Sequence, residues 1–169
     1  FNIQKNHVKL IETFAELHKR STQYVLCLIG DGELQKDIQD KVSELDLSDA
    51  VKFLGRRTDV PRLLNAMDCM VFPSRWEGFP NVVMEWQING LPVVMSDAIT
   101  DECAITPLVR QMPLQADTQE WANSVESALQ NRNRMEDSAH AVTVAKEKGY
   151  DINDNAAMLR SLYLEGRKS

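Results

Sequence analysis

Strand-length apolar runs alternate along this chain with segments of helical periodicity, and that rhythm admits few folds. Within residues 7–17, Val8, Ile11, Phe14, Ala15 and Leu17 recur at helical spacing, and residues 24–29 then form an unbroken apolar run that stops at Gly30-Asp31-Gly32. Leu34, Ile38, Val42 and Leu45 stripe a second helix, and residues 51–55 make a short strand that ends in a glycine turn. A short helix is expected over residues 60–67, with Asp59 as N-cap and Pro61 at the first helical position. Residues 69–72 read as a strand stopped by Pro73-Ser74, residues 81–89 as a helix ended by Gly90, and residues 91–95 as a strand with Pro92 confined to its beginning. Apolar strands between amphipathic helices predict a mostly parallel sheet buried on both faces. The expected fold class is therefore α/β, a three-layer Rossmann-like domain spanning residues 1–169.

Beyond Ser96 the pattern loosens. Residues 97–113 carry two prolines and mixed polarity, which predicts mainly loop with a short strand near Met112-Pro113-Leu114. Helices are expected over residues 118–129, with Trp121, Val125, Ala128 and Leu129 on one side, and over 134–148 and 152–164.

Composition narrows the function classes. With 19 Lys+Arg against 25 Asp+Glu, the net charge of -6 opposes non-specific attraction to nucleic acid or anionic lipid. Hydrophobic residues make up 43% of the chain, yet no apolar run approaches the roughly 20 residues that span a bilayer. Cys27, Cys69 and Cys103 show no CxxC or Cys/His spacing, which predicts core thiols in a reducing cytoplasm and no metal site. The chain starts at Phe1 without a Met or a signal-peptide profile, as a piece of a longer protein would.

Ligands of such sheets lie outside the carboxyl ends of strands, where turns leave backbone donors unpaired. Candidate turns are residues 30–33, 55–58 and 74–81. The last places Arg75, Trp76 and Glu77 in a loop that feeds a helix, whose first-turn N–H groups favour phosphate. Glu85 follows Glu77 by eight positions, so a ligand several ångströms long could touch both carboxylates through its hydroxyls. The alternative is that both are solvated or paired to Arg75 or Lys52. Arg56, Arg57, Arg75 and Lys5 either converge on a phosphate or stay dispersed in solvent. His7, His18 and His140 are expected at the surface; no Gly-x-Ser-x-Gly, Walker or GxGxxG pattern is present.

The stretch from Phe72 to Val94, with Pro73-Ser74, Glu77-Gly78-Phe79, Glu85 and Gly90-Leu91-Pro92-Val93-Val94, closely resembles the signature of retaining glycosyltransferase family 4. Gln4-Lys5-Asn6, Gly30-Asp31-Gly32 and the strand over residues 51–55 resemble that family's phosphate turn, its Gly-x-Gly turn and its Val-x-Phe-x-Gly strand. The resemblance covers nearly the whole chain, as the C-terminal half of a two-domain GT-B enzyme, and is closest to bacterial exopolysaccharide or capsule transferases.

It implies that a hexose moves with retention from a nucleotide diphosphate sugar, UDP-sugar favoured, to a glycan or lipid-linked acceptor. No cofactor or metal is implied. By motif position, Lys5 would contact the diphosphate and Glu77 the transferred sugar, these two being the catalytic candidates. Gly78, Phe79 and Asn81 would line the diphosphate, Glu85 would hold the ribose, and Gly55 and Arg56 would lie beside the base. Pro80 stands where many members have glycine and removes one N–H donor. The acceptor would be held by an N-terminal half, and a strand ending in Gly-Arg would precede Lys5; neither is in this sequence, so the piece alone is expected to bind donor without significant transfer. The full enzyme would be cytoplasmic, compatible with work at the inner face of the cell membrane. Alternatives are a non-catalytic nucleotide-binding module and a nucleotide-sugar epimerase of the GT-B fold.

Overall fold

The computed structural model describes residues 1–165. The elements run α1 (His7–Arg20), β1 (Leu26–Ile29), α2 (Gln35–Glu44), β2 (Val51–Gly55), α3 (Val60–Leu64), β3 (Met70–Phe72), α4 (Asn81–Ile88), β4 (Val93–Ser96), a 3-10 turn (Asp101–Cys103), β5 (Val109–Met112), α5 (Thr118–Leu129), α6 (Arg134–Glu147) and α7 (Ile152–Glu165). Every strand pairing is parallel, as continuous apolar runs joined by helical crossovers require. The result is the α/β, Rossmann-like arrangement anticipated above. Its ladder is divided: β1 pairs with β2, and β3-β4-β5 form a second piece.

Helix α1 joins the two pieces. Its Leu10, Ile11 and Phe14 pack into one core with Leu28, Ile38, Val42 and Val51, while Leu17 enters another with Val94, Trp121 and Val125. Periodicity explains this, because residues 3–4 apart share a face and the stripe broadens enough to meet two partners. A third core lies on the other side of β4, where Val93 and Met95 meet Val83, Trp86, Leu91 and Cys103. Strand β4 is buried along its whole length, so both sheet faces are covered there.

Two expectations are corrected. The strand placed near Met112-Pro113-Leu114 is β5, which begins earlier at Val109 and pairs Val93 with Val109 through Ser96 with Met112. It is an edge strand whose middle residues, Arg110 and Gln111, are exposed. They bond sideways, Arg110 Nη1 to Ser127 Oγ at 2.7 Å and Gln111 Nε2 to the Ile99 carbonyl at 2.9 Å. An edge strand needs apolar residues on one face only, so its hydropathy signal is weak. Asp59 does precede α3, but its carboxylate caps nothing. Arg57 takes both oxygens at 2.8 Å, and that pairing holds the Asp59 carboxyl below the usual carboxylate range. Pro61 falls at the second helical position.

A buried amide ties α4 to the loop after the 3-10 turn. Gln87 is fully buried; its Nε2 donates to the carbonyls of Val83 at 2.9 Å and Cys103 at 2.8 Å. Its Oε1 accepts from the Thr106 N–H at 2.9 Å and the Thr106 hydroxyl at 3.0 Å. Each polar atom of the side chain is matched, which is the condition for a buried amide to stabilise. Arg134, at the start of α6, likewise donates to the carbonyls of Leu64, Met67 and Asn89, at and just beyond the ends of α3 and α4. Gly90 sits under this contact at φ 74, and a Cβ there would come 2.4 Å from the Arg134 carbonyl oxygen. In α7, Ile152, Met158, Leu159, Leu162 and Tyr163 are exposed.

Candidate functional site

The carboxyl ends of the strands carry the residues singled out by sequence, and the structure divides them into two groups. The first is built where the turn before α1 meets the loop after β3. Asn6 adopts the left-handed conformation, φ 53 and ψ 47, which asparagine tolerates better than most residues. Its Nδ2 donates to the Pro73 carbonyl at 3.1 Å, and its Oδ1 accepts from Arg75 Nη2 at 3.3 Å. The Arg75 N–H donates to the Gln4 carbonyl at 2.8 Å. Gln4 Nε2 donates both to the Trp76 carbonyl at 2.9 Å and to Glu77 Oε2 at 3.0 Å. Lys5 Nζ donates to Glu77 Oε1 at 2.8 Å and lies 4.8 Å from the centre of the Phe72 ring.

Both oxygens of Glu77 are therefore occupied, one by a neutral amide and one by an ammonium. The Glu77 side chain is 11% exposed and the Lys5 side chain 39%, so the pair is shielded on one side and open on the other. Charge-assisted bonds of this kind are stronger than neutral ones and less screened by salt than a surface pair. Glu77 thus pairs with Lys5, and not with Arg75 or Lys52. Below the loop, Ser96 Oγ donates to the Ser74 carbonyl at 2.5 Å, anchoring the backbone to fully buried β4.

Helix α4 begins directly after this loop with Pro80 as its cap residue and no side-chain capping bond. Its first-turn N–H groups keep the partial positive charge of an uncapped helix start. Gly78 is exposed, and a Cβ placed on it would meet nothing within 4 Å, so its bare backbone is open to approach from solvent. Phe79 turns its ring outward, stacked on Tyr150 with centroids 6.2 Å apart, and Asn81 is exposed.

The second group lies at the ends of β1 and β2. The Gly30 N–H donates to the Gly55 carbonyl at 2.8 Å, and Gly55 has φ 64, a conformation that favours glycine. Arg56 pairs with Asp31 at 2.7 Å, with side chains 84% and 47% exposed. With Arg57 on Asp59 and Arg56 on Asp31, the four cations do not form one cluster. Glu85 is exposed and lines a different opening, a groove of about 640 Å³ with Pro61, Leu64, Arg134 and Met135.

Two surface expectations need revision. His7 is half-buried, edge-on to the Phe1 ring at 4.5 Å. Burial first, then the N-terminal ammonium and Lys5, push its imidazole down to about 4, so it is neutral near pH 7. His18 is also half-buried, against Phe14, whereas His140 is exposed. Of the cysteines, Cys103 is buried and Cys27 and Cys69 are intermediate; desolvation pushes the Cys69 thiol up to about 12. Among the described residues, no group of three or more His, Cys, Asp or Glu could hold a metal ion. No helix among them is long and apolar enough to cross a membrane.

Sequence reasoning placed Lys5 and Glu77 as separate candidates and named Gln4 and Asn6 only as parts of the turn motif, without the bonds by which they tie that turn to the loop after β3. The signal available was local: an asparagine just before a helical stripe, without a capping partner downstream, marks a left-handed turn that folds back.

The chain has relatives among known proteins. EpsF of Bacillus subtilis (strain 168) is 32% identical over 165 residues, 96% of this chain and 42% of that protein. The UDP-Gal:alpha-D-GlcNAc-diphosphoundecaprenol alpha-1,3-galactosyltransferase of Escherichia coli is 37% identical over 82 residues, 48% of this chain and 21% of that enzyme. Among solved structures, Anabaena Alr3699/HepE in complex with UDP superposes with a TM-score of 0.78 at 24% identity, covering 96% of this chain and 46% of that one, a likeness of fold. The chain thus spans less than half the length of each of these relatives. The family model for glycosyl transferases group 1 matches residues 1–147, which carry every strand and both groups of site residues, and the chain belongs to that family.

Proposed function

We propose that this chain is the donor-binding, C-terminal half of a GT-B glycosyltransferase that moves a hexose from a nucleotide diphosphate sugar to a glycan or lipid-linked acceptor, with retention, in cell-surface polysaccharide synthesis. The observation that carries the reading is the junction of Lys5 with Glu77 at the carboxyl end of β3, beside the uncapped start of α4. A diphosphate there would meet an ammonium, the bare backbone of Gly78 and Phe79, and the first N–H groups of α4 near Asn81. Departure of the diphosphate concentrates negative charge on its oxygens, and fixed donors aimed at that point lower the barrier without reorganising.

Lys5 is neutralised by Glu77 before ligand arrives, so an entering diphosphate competes with a carboxylate for the ammonium. Once Lys5 turns to phosphate, the freed Oε1 of Glu77 becomes an acceptor for a sugar hydroxyl. In this reading Glu77 recognises and orients the sugar and is not a nucleophile. By motif position Glu85 would hold the ribose, which requires the nucleoside to reach the groove beside α4, and Gly55 and Arg56 would border the base. UDP is the favoured nucleotide, in line with the ligand of the Anabaena relative and the donor in the name of the Escherichia coli one. The acceptor would be held by a further domain of the longer protein, working in the cytoplasm, on a soluble or membrane-borne acceptor, and no metal is required.

Calorimetric titration of UDP, GDP and ADP into the chain tests this, repeated with Glu85→Ala. The reading expects one nucleotide to bind best and the substitution to weaken it about tenfold, the loss of a charged acceptor to two hydroxyls. Equal weak binding of all three, indifferent to Glu85, would contradict it.

A further inference from the structure

Gln4 is the residue through which the turn before α1 grips the loop after β3, and its role is set by chemistry on both sides. Its Nε2 faces two acceptors, the Trp76 carbonyl at 2.9 Å and Glu77 Oε2 at 3.0 Å. Neither neighbour can donate there while Glu77 is ionised, so the amide must present its NH2 group. A backbone carbonyl and a side-chain carboxylate of two adjacent loop residues are thus tied to one rigid planar group. Lys5 holds the other Glu77 oxygen through a longer, half-exposed side chain, and it is the cation a phosphate would draw away.

From this asymmetry we infer that Gln4 is a positioning residue: it keeps the Glu77 carboxylate aimed at the transferred sugar after Lys5 has moved to the diphosphate. The inference rests on the donor-binding reading above. An amide suits the task because it is neutral. It does not compete for the diphosphate, and it leaves Glu77 charged as an acceptor. A lysine in its place would bind phosphate itself, and a glutamate would repel Glu77 across 3.0 Å.

The test compares UDP with UDP-glucose and UDP-galactose by calorimetry, in the wild-type chain, Gln4→Met and Gln4→Glu. Methionine keeps the shape of glutamine and loses both hydrogen bonds; glutamate keeps the shape and reverses the interaction. For whichever sugar nucleotide binds the wild type more tightly, affinity is expected to fall about tenfold in Gln4→Met and further in Gln4→Glu, while UDP stays within twofold. A role in packing alone predicts the opposite split, with UDP and UDP-sugar falling together and the isosteric glutamate doing least harm. Amide hydrogen exchange of residues 77–79 is read in the same variants at matched thermal midpoint, and faster exchange in Gln4→Met is expected. Unchanged sugar-nucleotide affinity, equal loss of UDP, or unchanged exchange would overturn the role of Gln4. Absence of nucleotide binding by the wild type sinks the donor reading instead, and the exchange experiment still decides whether Gln4 holds the loop.

Discussion

The two pieces of the sheet hold their rims differently. The loop after β3 stands on a strand neighbour, β4, that is buried at every position, and six hydrogen bonds from Gln4, Lys5, Asn6 and Arg75 stitch it to the turn before α1. The turns after β1 and β2 stand on strands that are largely half-buried, and they are joined by one backbone bond and an exposed Arg56–Asp31 pair. Coulomb attraction is similar in form in both ion pairs, but solvent screens the second and spares much of the first. The lesson is that burial, together with the accessory bonds a pair recruits, decides whether a charged rim is rigid. On the proposed function, rigidity falls where the bond would break and looseness where a base would rest.

The sharpest way to break this contrast is to unpin the rigid half from below. Gln87→Leu leaves the Thr106 N–H buried without a partner and strips the Cys103 carbonyl of its shorter bond, and should cost about 3 kcal/mol, read as a lower urea midpoint. Gly90→Ala should come next, at about 2 kcal/mol, because it forces a side chain into φ 74 and against the Arg134 backbone. At the rim, Lys5→Ala should weaken UDP about tenfold, whereas Arg56→Ala should change it less than threefold, and less still in 0.5 M salt, where the Debye length falls to roughly 4 Å. Comparable losses from both substitutions would erase the distinction drawn between the two rims.

A smaller effect involves pH. Because the imidazole of His7 has its pKa lowered in the fold, from 6.5 to about 4, the unfolded chain binds a proton first as pH falls. Stability from this source is complete above 6.5 and drains away between 6.5 and 4. Urea midpoints measured across that window should decline less steeply in His7→Phe than in the wild type. The smallest effect is expected from Asp31→Asn, which removes only the partner of a fully solvated arginine and should leave the urea midpoint unchanged.

Much of the fold was legible in sequence because most of its strands are rich in apolar residues and end at glycine or proline. Residues 24–29, 51–55, 69–72 and 91–95 could be recognised as strands from short, mostly apolar runs, and the stripe of α1 marked a helix, which the structure shows facing two cores. Strand β5 was harder to place, since an edge strand carries Arg110 and Gln111 at its centre. Asp59 had the composition of a cap, but an arginine two residues earlier captured it. At the site, Lys5 and Glu77 were visible as residue types, yet they are separated by 72 positions and nothing local announces their 2.8 Å contact.

The amino-acid sequence by itself determined which segments could be strand or helix, since that follows from apolar period and from where glycine and proline interrupt it. It also carried the ordered motif from Phe72 to Val94 that marks the family. Only the tertiary structure decided which charges meet. Lys5 reached Glu77 because a left-handed Asn6 turned the chain back onto Pro73, while Arg56 and Arg57 were claimed by nearer carboxylates. Such choices depend on distances across the fold and on how much solvent is left between the groups, and neither quantity is written in the order of residues.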